Sequence, residues 1–340
     1  MRLEQLGRAR TAGVLAVVTI VAALALVVAF GQLPGGATGP SGAATPGLTT
    51  GPSLPATPPA SPAAGGSLAP SVDPGGNPIV LVGAGDIADC RSDRASATAA
   101  LLDGIEGTIF TLGDNAYERG SRKEFDDCYA PTWGRHLDRT RPALGNHEYG
   151  TAGAAGYFGY FGERAGDPAR GYYAYDLGAW RIYALNSNCN VVACGPASAQ
   201  VAWLRDDLAS NPRRCTLAYW HHPRFSSGRH GNNPDVQSLW DVMYETGGEL
   251  VLAGHDHLYE RFAPMSRRGD PDPDRGIVSF VVGTGGRELY EFHEILPTSV
   301  SRDATTFGVL ELTLYPDRWS SRFVPVAGHT FTDISSGTCH

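Results

Sequence analysis

Five short segments hold the side chains best suited to binding a metal ion or moving a proton, and each follows an apolar run. Ile79 to Ala84 leads into Gly85-Asp86, and Gly107 to Leu112 into Gly113-Asp114-Asn115-Ala116-Tyr117. Ala143-Leu144 leads into Gly145-Asn146-His147-Glu148, Tyr219-Trp220 into His221-His222-Pro223, and Leu250 to Ala253 into Gly254-His255-Asp256-His257. Two carboxylates, an amide, at least three imidazoles and a phenol form an oxygen and nitrogen donor set suited to zinc, iron or manganese, with no thiolate in it. A carboxylate that bridges two cations roughly 3.5–4 Å apart lets them share a hydroxide and clamp the attacking and leaving oxygens of a phosphoryl transfer. Asp114 is the natural bridge.

Ile79 to Ala84, Gly107 to Leu112, Thr216 to Tyr219, Leu250 to Ala253 and Ile277 to Val282 are short apolar runs of strand length and read as buried strands. Between them lie Ala95 to Leu102, Ala199 to Leu208 and Val236 to Tyr244, whose apolar residues recur at helical spacing. Alternating strands and helices predict an α/β domain with parallel strands. Tyr172 to Leu177 with Trp180 to Leu185, and Phe307 to Leu314 with Trp319 to Val324, read as hairpins, so the sheets are expected to be mixed. Ligands gather at the carboxyl ends of strands in such sheets, so loops spread over more than 170 residues can share one site.

Two other patterns compete for the same residues. Gly83-Ala84-Gly85-Asp86-Ile87-Ala88 fits a dinucleotide fingerprint, but Asp86 would push its charge toward a pyrophosphate and the histidine loops would have no purpose. Asp270, Asp272 and Asp274 have calcium-loop spacing, yet intervening prolines and the missing acid at the twelfth position favour a solvated turn.

Composition bounds the rest. Arg2, Arg8 and Arg10 precede nineteen uncharged residues, Ala12 to Phe30, expected to form a signal anchor or signal peptide over residues 1–30 that leaves the following chain outside the cytoplasm. Of the forty-eight residues from Gly31 to Pro78, forty are Gly, Pro, Ser, Ala or Thr, which predicts a disordered linker over 31–78. The remaining 262 residues, 79–340, suffice for one large catalytic domain. The chain carries a net −8; its first ten residues contribute +2 and Asp73 −1, leaving −9 from Ile79 onward, with no basic run, which excludes a nucleic-acid scaffold. Six cysteines in an exported domain imply disulfides. Fifteen connectivities are possible for six cysteines, and Cys189 with Cys194, Cys215 with Cys339 and Cys90 with Cys128 are the expected pairs.

The five motifs, taken together and in this order up to Arg261, make the sequence resemble the calcineurin-like metallophosphoesterases, and within them the purple acid phosphatases. The wider superfamily reads D-x-H in the first motif, where this chain has Ala88; the G-D-x-x-Y of the purple enzymes is present instead, and Tyr117 replaces the lost ligand. The resemblance implies a four-layer α/β/β/α sandwich of two mixed sheets, the metallophosphoesterase fold. It implies two metal ions: Asp86, Tyr117, Asp114 and His257 hold the first, and Asp114, Asn146, His221 and His255 hold the second. A phenolate at Tyr117 favours iron, partnered by iron, zinc or manganese. Hydroxide on the metals then attacks phosphorus in line, while His147 and His230 bind phosphoryl oxygens and protonate the departing alkoxide.

The expected function is therefore hydrolysis of small phosphomonoesters. The alternatives are a phosphodiesterase acting on extracellular nucleotides or lipid head groups, and a catalytically silent binding module displayed on the surface. His222 is expected to pack beside the ligands, Arg261 to brace the histidine loop, and His136 and His293 to lie at the surface. Plant enzymes of this kind carry a fibronectin-like domain before the catalytic one, and here the linker stands in that place.

Overall fold

Short β-branched and aromatic runs punctuated by glycine produce short strands, and two large sheets and one two-stranded sheet are built from them. The computed structural model describes residues 78–340. The apolar segment expected at 1–30 and the linker expected at 31–78, apart from Pro78, lie outside the described residues. Among the described residues no helix is long and apolar enough to cross a membrane.

The chain begins with Ile79–Ala84 (β1), Ala88–Asp89 (β2), Arg94–Asp103 (α1), Thr108–Leu112 (β3), Ala116–Tyr117 (β4), Arg122–Glu124 (α2) and Thr140–Ala143 (β5). It continues through Ala155–Phe161 (α3), Tyr173–Leu177 (β6), Trp180–Ala184 (β7), Ala199–Ser210 (α4), Cys215–Tyr219 (β8), Gln237–Glu245 (α5) and Leu250–Ala253 (β9). Tyr259–Phe262 (β10), Val278–Val282 (β11), Ser299–Asp303 (β12), Gly308–Leu314 (β13), Arg318–Pro325 (β14) and Ile334–Thr338 (β15) complete it.

The first sheet has the order β15-β14-β13-β1-β3-β5 and the second β12-β10-β11-β9-β8-β7-β6. Strands β1, β3 and β5 are parallel, as are β7, β8, β9 and β11; antiparallel strands flank both sets. The pleat sorts the second sheet's residues between two cores. Trp180, Ile182, Leu217, Tyr219, Leu250, Leu252, Phe280 and Val282 pack toward the first sheet, whereas Tyr183, Ala218, Val251 and Val281 pack with α4 and α5. Ring contacts Phe110 to Tyr219 and Phe280 to Trp319 join the sheets face to face. Helix α1 rests on β13 and on the 3₁₀ segment Trp133–Arg139, which reaches β3, so the expected four layers are present. Serine caps α4, the Ser198 hydroxyl accepting from the Val201 N–H.

All six cysteines are paired as expected: Cys90 with Cys128, Cys189 with Cys194, and Cys215 with Cys339. Sequence periodicity did not reveal β10, β12, β15 or the helical stretches between Phe125 and Ala165. Strand β15 reads Ile-Ser-Ser-Gly-Thr and pairs only with β14, so it needs no apolar face. The helical stretches are held by a cluster of Phe125, Tyr129, Tyr160 and Phe161 rings rather than by an amphipathic stripe. His136 departs from its expected surface position: it is half-buried and pairs with Asp103 of α1 at 3.0 Å, because its segment packs on that helix.

Candidate metal centre

Strands β1, β3 and β5 of one sheet and β8 and β9 of the other end at the same edge of the sandwich, and their loops are tied together by backbone hydrogen bonds. Gly85 N–H donates to the Val282 carbonyl (2.8 Å), Asp86 N–H to Gly113 (3.1 Å), and Gly254 N–H to His221 (3.0 Å). The loops approach so closely that a Cβ at Gly145 would collide with the Asp114 carboxylate and one at Gly254 would press on Asp86. That is the physical reason for glycine at these two positions. Asp86, Asp114 and His255 themselves adopt left-handed backbone, with φ of 60°, 49° and 69°. Such conformations persist for non-glycine residues only where surrounding contacts hold them, and they cluster at functional sites.

All seven expected ligands converge. The buried Tyr117 hydroxyl donates to Asp86 Oδ1 (2.8 Å) and Asp114 Oδ2 (3.1 Å), with His257 Nε2 3.3 Å away. Asp114 Oδ2 is 3.3 Å from His221 Nε2, which lies 3.0 Å from Asn146 Oδ1 and 3.1 Å from His255 Nδ1. His147 and His230 stand beside this cluster: His147 Nε2 is 3.8 Å from Asp114, and the His230 ring centre is 4.2 Å from that of His255. Both line a cavity of about 300 Å³ that opens onto Asp114, Tyr117, Asn146 and His257.

The donor chemistry of this cluster fits cations. His221 Nδ1 is 2.8 Å from the Leu112 carbonyl and His257 Nδ1 is 2.8 Å from that of Glu288, so each Nδ1 carries the proton and each Nε2 turns a lone pair inward. Those lone pairs face carboxylate oxygens, an arrangement that is stable only with positive charge between them. Burial would depress His221, but the Asp114 carboxylate outweighs it and pushes the imidazole up to about 9. His257 is likewise depressed by burial and raised, on balance, by Asp86. Burial would raise Asp114, yet His221 and His147 hold it far below the usual carboxylate range. Burial, reinforced by Asp114 and Asp86, drives the Tyr117 phenol well above its ordinary value. Burial and the neighbouring imidazoles depress His255.

Several residues in the site carried no sequence assignment. Glu148 is buried and accepts the N–H groups of Asp114 (3.0 Å), Asn115 (2.7 Å) and Gly145 (2.6 Å), stapling the loops after β3 and β5. Burial, with the Asp114 charge, pushes its carboxyl up to about 7. Ser187 accepts from the His221 and His222 N–H groups and bonds His222 Nδ1 at 2.9 Å, so His222 packs beside the ligands as expected. Burial and His221 lower His222 to about 3. Arg287 lies over the Tyr117 ring at 4.6 Å and pairs with Asp89, Glu118 and Glu288, and Tyr290 stacks beside His257. Glu148 sits inside a motif, and Arg287 follows the Gly285-Gly286 turn; nothing in the sequence pointed to Ser187 or Tyr290. Arg261 braces by pairing with Asp333 near the carboxyl terminus, at 2.6 and 3.0 Å, rather than by reaching the cavity. His293 is exposed, as expected.

Residues 74–259 match the model of the calcineurin-like phosphoesterase family. The chain is 31% identical to purple acid phosphatase 15 of Arabidopsis thaliana over 121 residues, covering 34% of this chain and 22% of that protein. It is 29% identical to purple acid phosphatase 23 of the same plant over 183 residues, 47% of this chain and 39% of that one. The chain thus spans between about a fifth and two fifths of the length of these relatives. In fold it is similar to the purple acid phosphatase PPD1 of yellow lupin, with a TM-score of 0.58 and 18% identity over 76% of this chain and 53% of that one.

Proposed function

The chain belongs to the calcineurin-like phosphoesterase family, and from that premise we propose that it is a binuclear, metal-dependent phosphoesterase of the purple acid phosphatase type that hydrolyses small phosphomonoesters. The observation that carries this reading is the meeting of two buried carboxylates, an amide, three imidazoles and a phenol, all delivered by strand ends of both sheets. In the proposal Asp86, Tyr117, Asp114 and His257 hold one cation and Asp114, Asn146, His221 and His255 the other. Bound there, the cations would acidify water and neutralise charge on the phosphoryl oxygens. A phenolate oxygen from Tyr117 would be a hard, anionic donor, which favours ferric iron at that position.

The chain's own groups do the rest. His147 donates its backbone N–H to Asp114 Oδ1 (2.9 Å), and its Nδ1 lies 2.6 Å from the Glu118 carbonyl, which turns Nε2 into the cavity. When protonated, that nitrogen donates to a phosphoryl oxygen. As water adds to phosphorus and the ester P–O bond breaks, the electron pair leaves on the alkoxide oxygen, which takes a proton from His230; alcohol and inorganic phosphate are the products. The proposal extends to location: three disulfides fit an oxidising compartment, with residues 79–340 as a catalytic domain outside the cytoplasm behind an amino-terminal anchor or signal and a linker.

Turnover of p-nitrophenyl phosphate compared with its bis ester tests the substrate class. A preference for the monoester is expected, and a roughly hundredfold preference for the diester, about 2.7 kcal/mol in transition-state binding, would overturn it in favour of a phosphodiesterase.

A further inference from the structure

Asp256 lies between two expected ligands, His255 and His257, yet its carboxylate is spent elsewhere. It is fully buried. Its Oδ1 accepts the backbone N–H of His230 (2.9 Å) and the hydroxyl of Tyr290 (3.2 Å), and its Oδ2 accepts the hydroxyl of Ser226 (2.5 Å). Ser226 Oγ in turn accepts the Gly228 N–H (3.0 Å), and a Cβ at Gly228 would collide with the Asp256 carboxyl group, so the loop backbone is wrapped directly around it. Glu260 adds a second anchor by accepting the Ser227 N–H at 2.8 Å. Three donors on two oxygens bind the loop Ser226 to His230 and the aromatic wall at Tyr290 to the segment that carries His255 and His257.

We propose that Asp256 is a positioning residue that sets where the His230 imidazole stands over the centre, and thereby controls proton delivery to the leaving group. The inference rests on the role given to His230 above. A displacement of about 1 Å in a proton donor costs on the order of a hundredfold, but only where the step needs that proton. A leaving group that departs readily as an anion hardly uses it.

That difference supplies the test. Turnover of an alkyl monoester, glycerol phosphate, and of p-nitrophenyl phosphate is compared in the wild type, His230→Ala, Asp256→Ala and Asp256→Asn, with metal content measured for each. Asp256→Ala is expected to lower kcat on the alkyl ester at least about tenfold and on the aryl ester less than about threefold, with KM little changed, the same selectivity as His230→Ala. Asp256→Asn offers one acceptor oxygen to three donors, so it should show that selectivity to a smaller degree, and it decides alone if the alanine variant fails to fold. Equal losses on both esters, no loss, or a parallel fall in metal content would overturn the inference. A selective His230→Ala beside unselective Asp256 variants sinks Asp256 alone; an unselective His230→Ala sinks the role of His230, and that of Asp256 with it.

Discussion

Asp114 combines three demands on one side chain: a left-handed backbone, a buried carboxylate, and contacts to a phenol, an imidazole and the His147 N–H. His147 touches this carboxylate chiefly through its backbone, so its imidazole can be removed without dismantling the cluster. His147→Ala should lower phosphatase turnover by at least about two decades, the usual worth of a hydrogen-bond donor aimed at oxygens that gain charge in the transition state, while metal content measured by elemental analysis stays at the wild-type level. Survival of activity would remove His147 from its role. Tyr117 makes a separate prediction: a tyrosinate on ferric iron gives a visible charge-transfer band, which should vanish in Tyr117→Phe. A colourless, fully active wild type would contradict that ligand assignment.

At the scale of elements, what matters is how strand ends are pinned. Asp89 in β2 receives hydrogen bonds from Arg91 and pairs with Arg287, linking β2 to the turn after β11. Burial alone would raise its carboxyl, but Arg91 and Arg287 outweigh burial and bring it from 3.8 to about 2. A folded pKa below the unfolded one stabilises the protein above the unfolded value, and the stabilisation fades as pH falls from 3.8 through 2. Asp89→Asn should therefore melt at a lower temperature than wild type at pH 6, with the gap closing toward pH 2; a gap independent of pH would show that the charge is not the cause. The strand ends and their motifs were legible in the sequence because buried parallel strands are continuous apolar runs and because four of the expected ligands, Asp86, Asp114, Asn146 and His255, follow a glycine that sterics require. Asp256 was hidden by lying between two histidines, and Tyr290 and Ser187 because they act through contacts with residues more than 30 positions away. The short helices after Phe125 escaped because ring packing, not periodicity, sustains them.

Across the whole molecule, the two sheets share one face-to-face core while their parallel strands deliver ligands to one edge. The Cys215–Cys339 disulfide closes 124 residues and fastens the chain just after β15 to the start of β8, while His221 follows the other end of that strand. Five residues of strand are about 17 Å, far from the ligands. Replacing both cysteines by serine should cost about 2–4 kcal/mol in denaturant unfolding, with turnover in the folded protein close to wild type. A large loss of turnover in the folded variant would mean that the far edge of the sandwich shapes the site. The central claim, that both sheets together build a two-cation centre around Asp114, is tested most directly by elemental analysis of the purified protein. Two metal ions per chain, iron among them, are predicted; a single ion, or none in protein that nevertheless turns over phosphomonoesters, would contradict it.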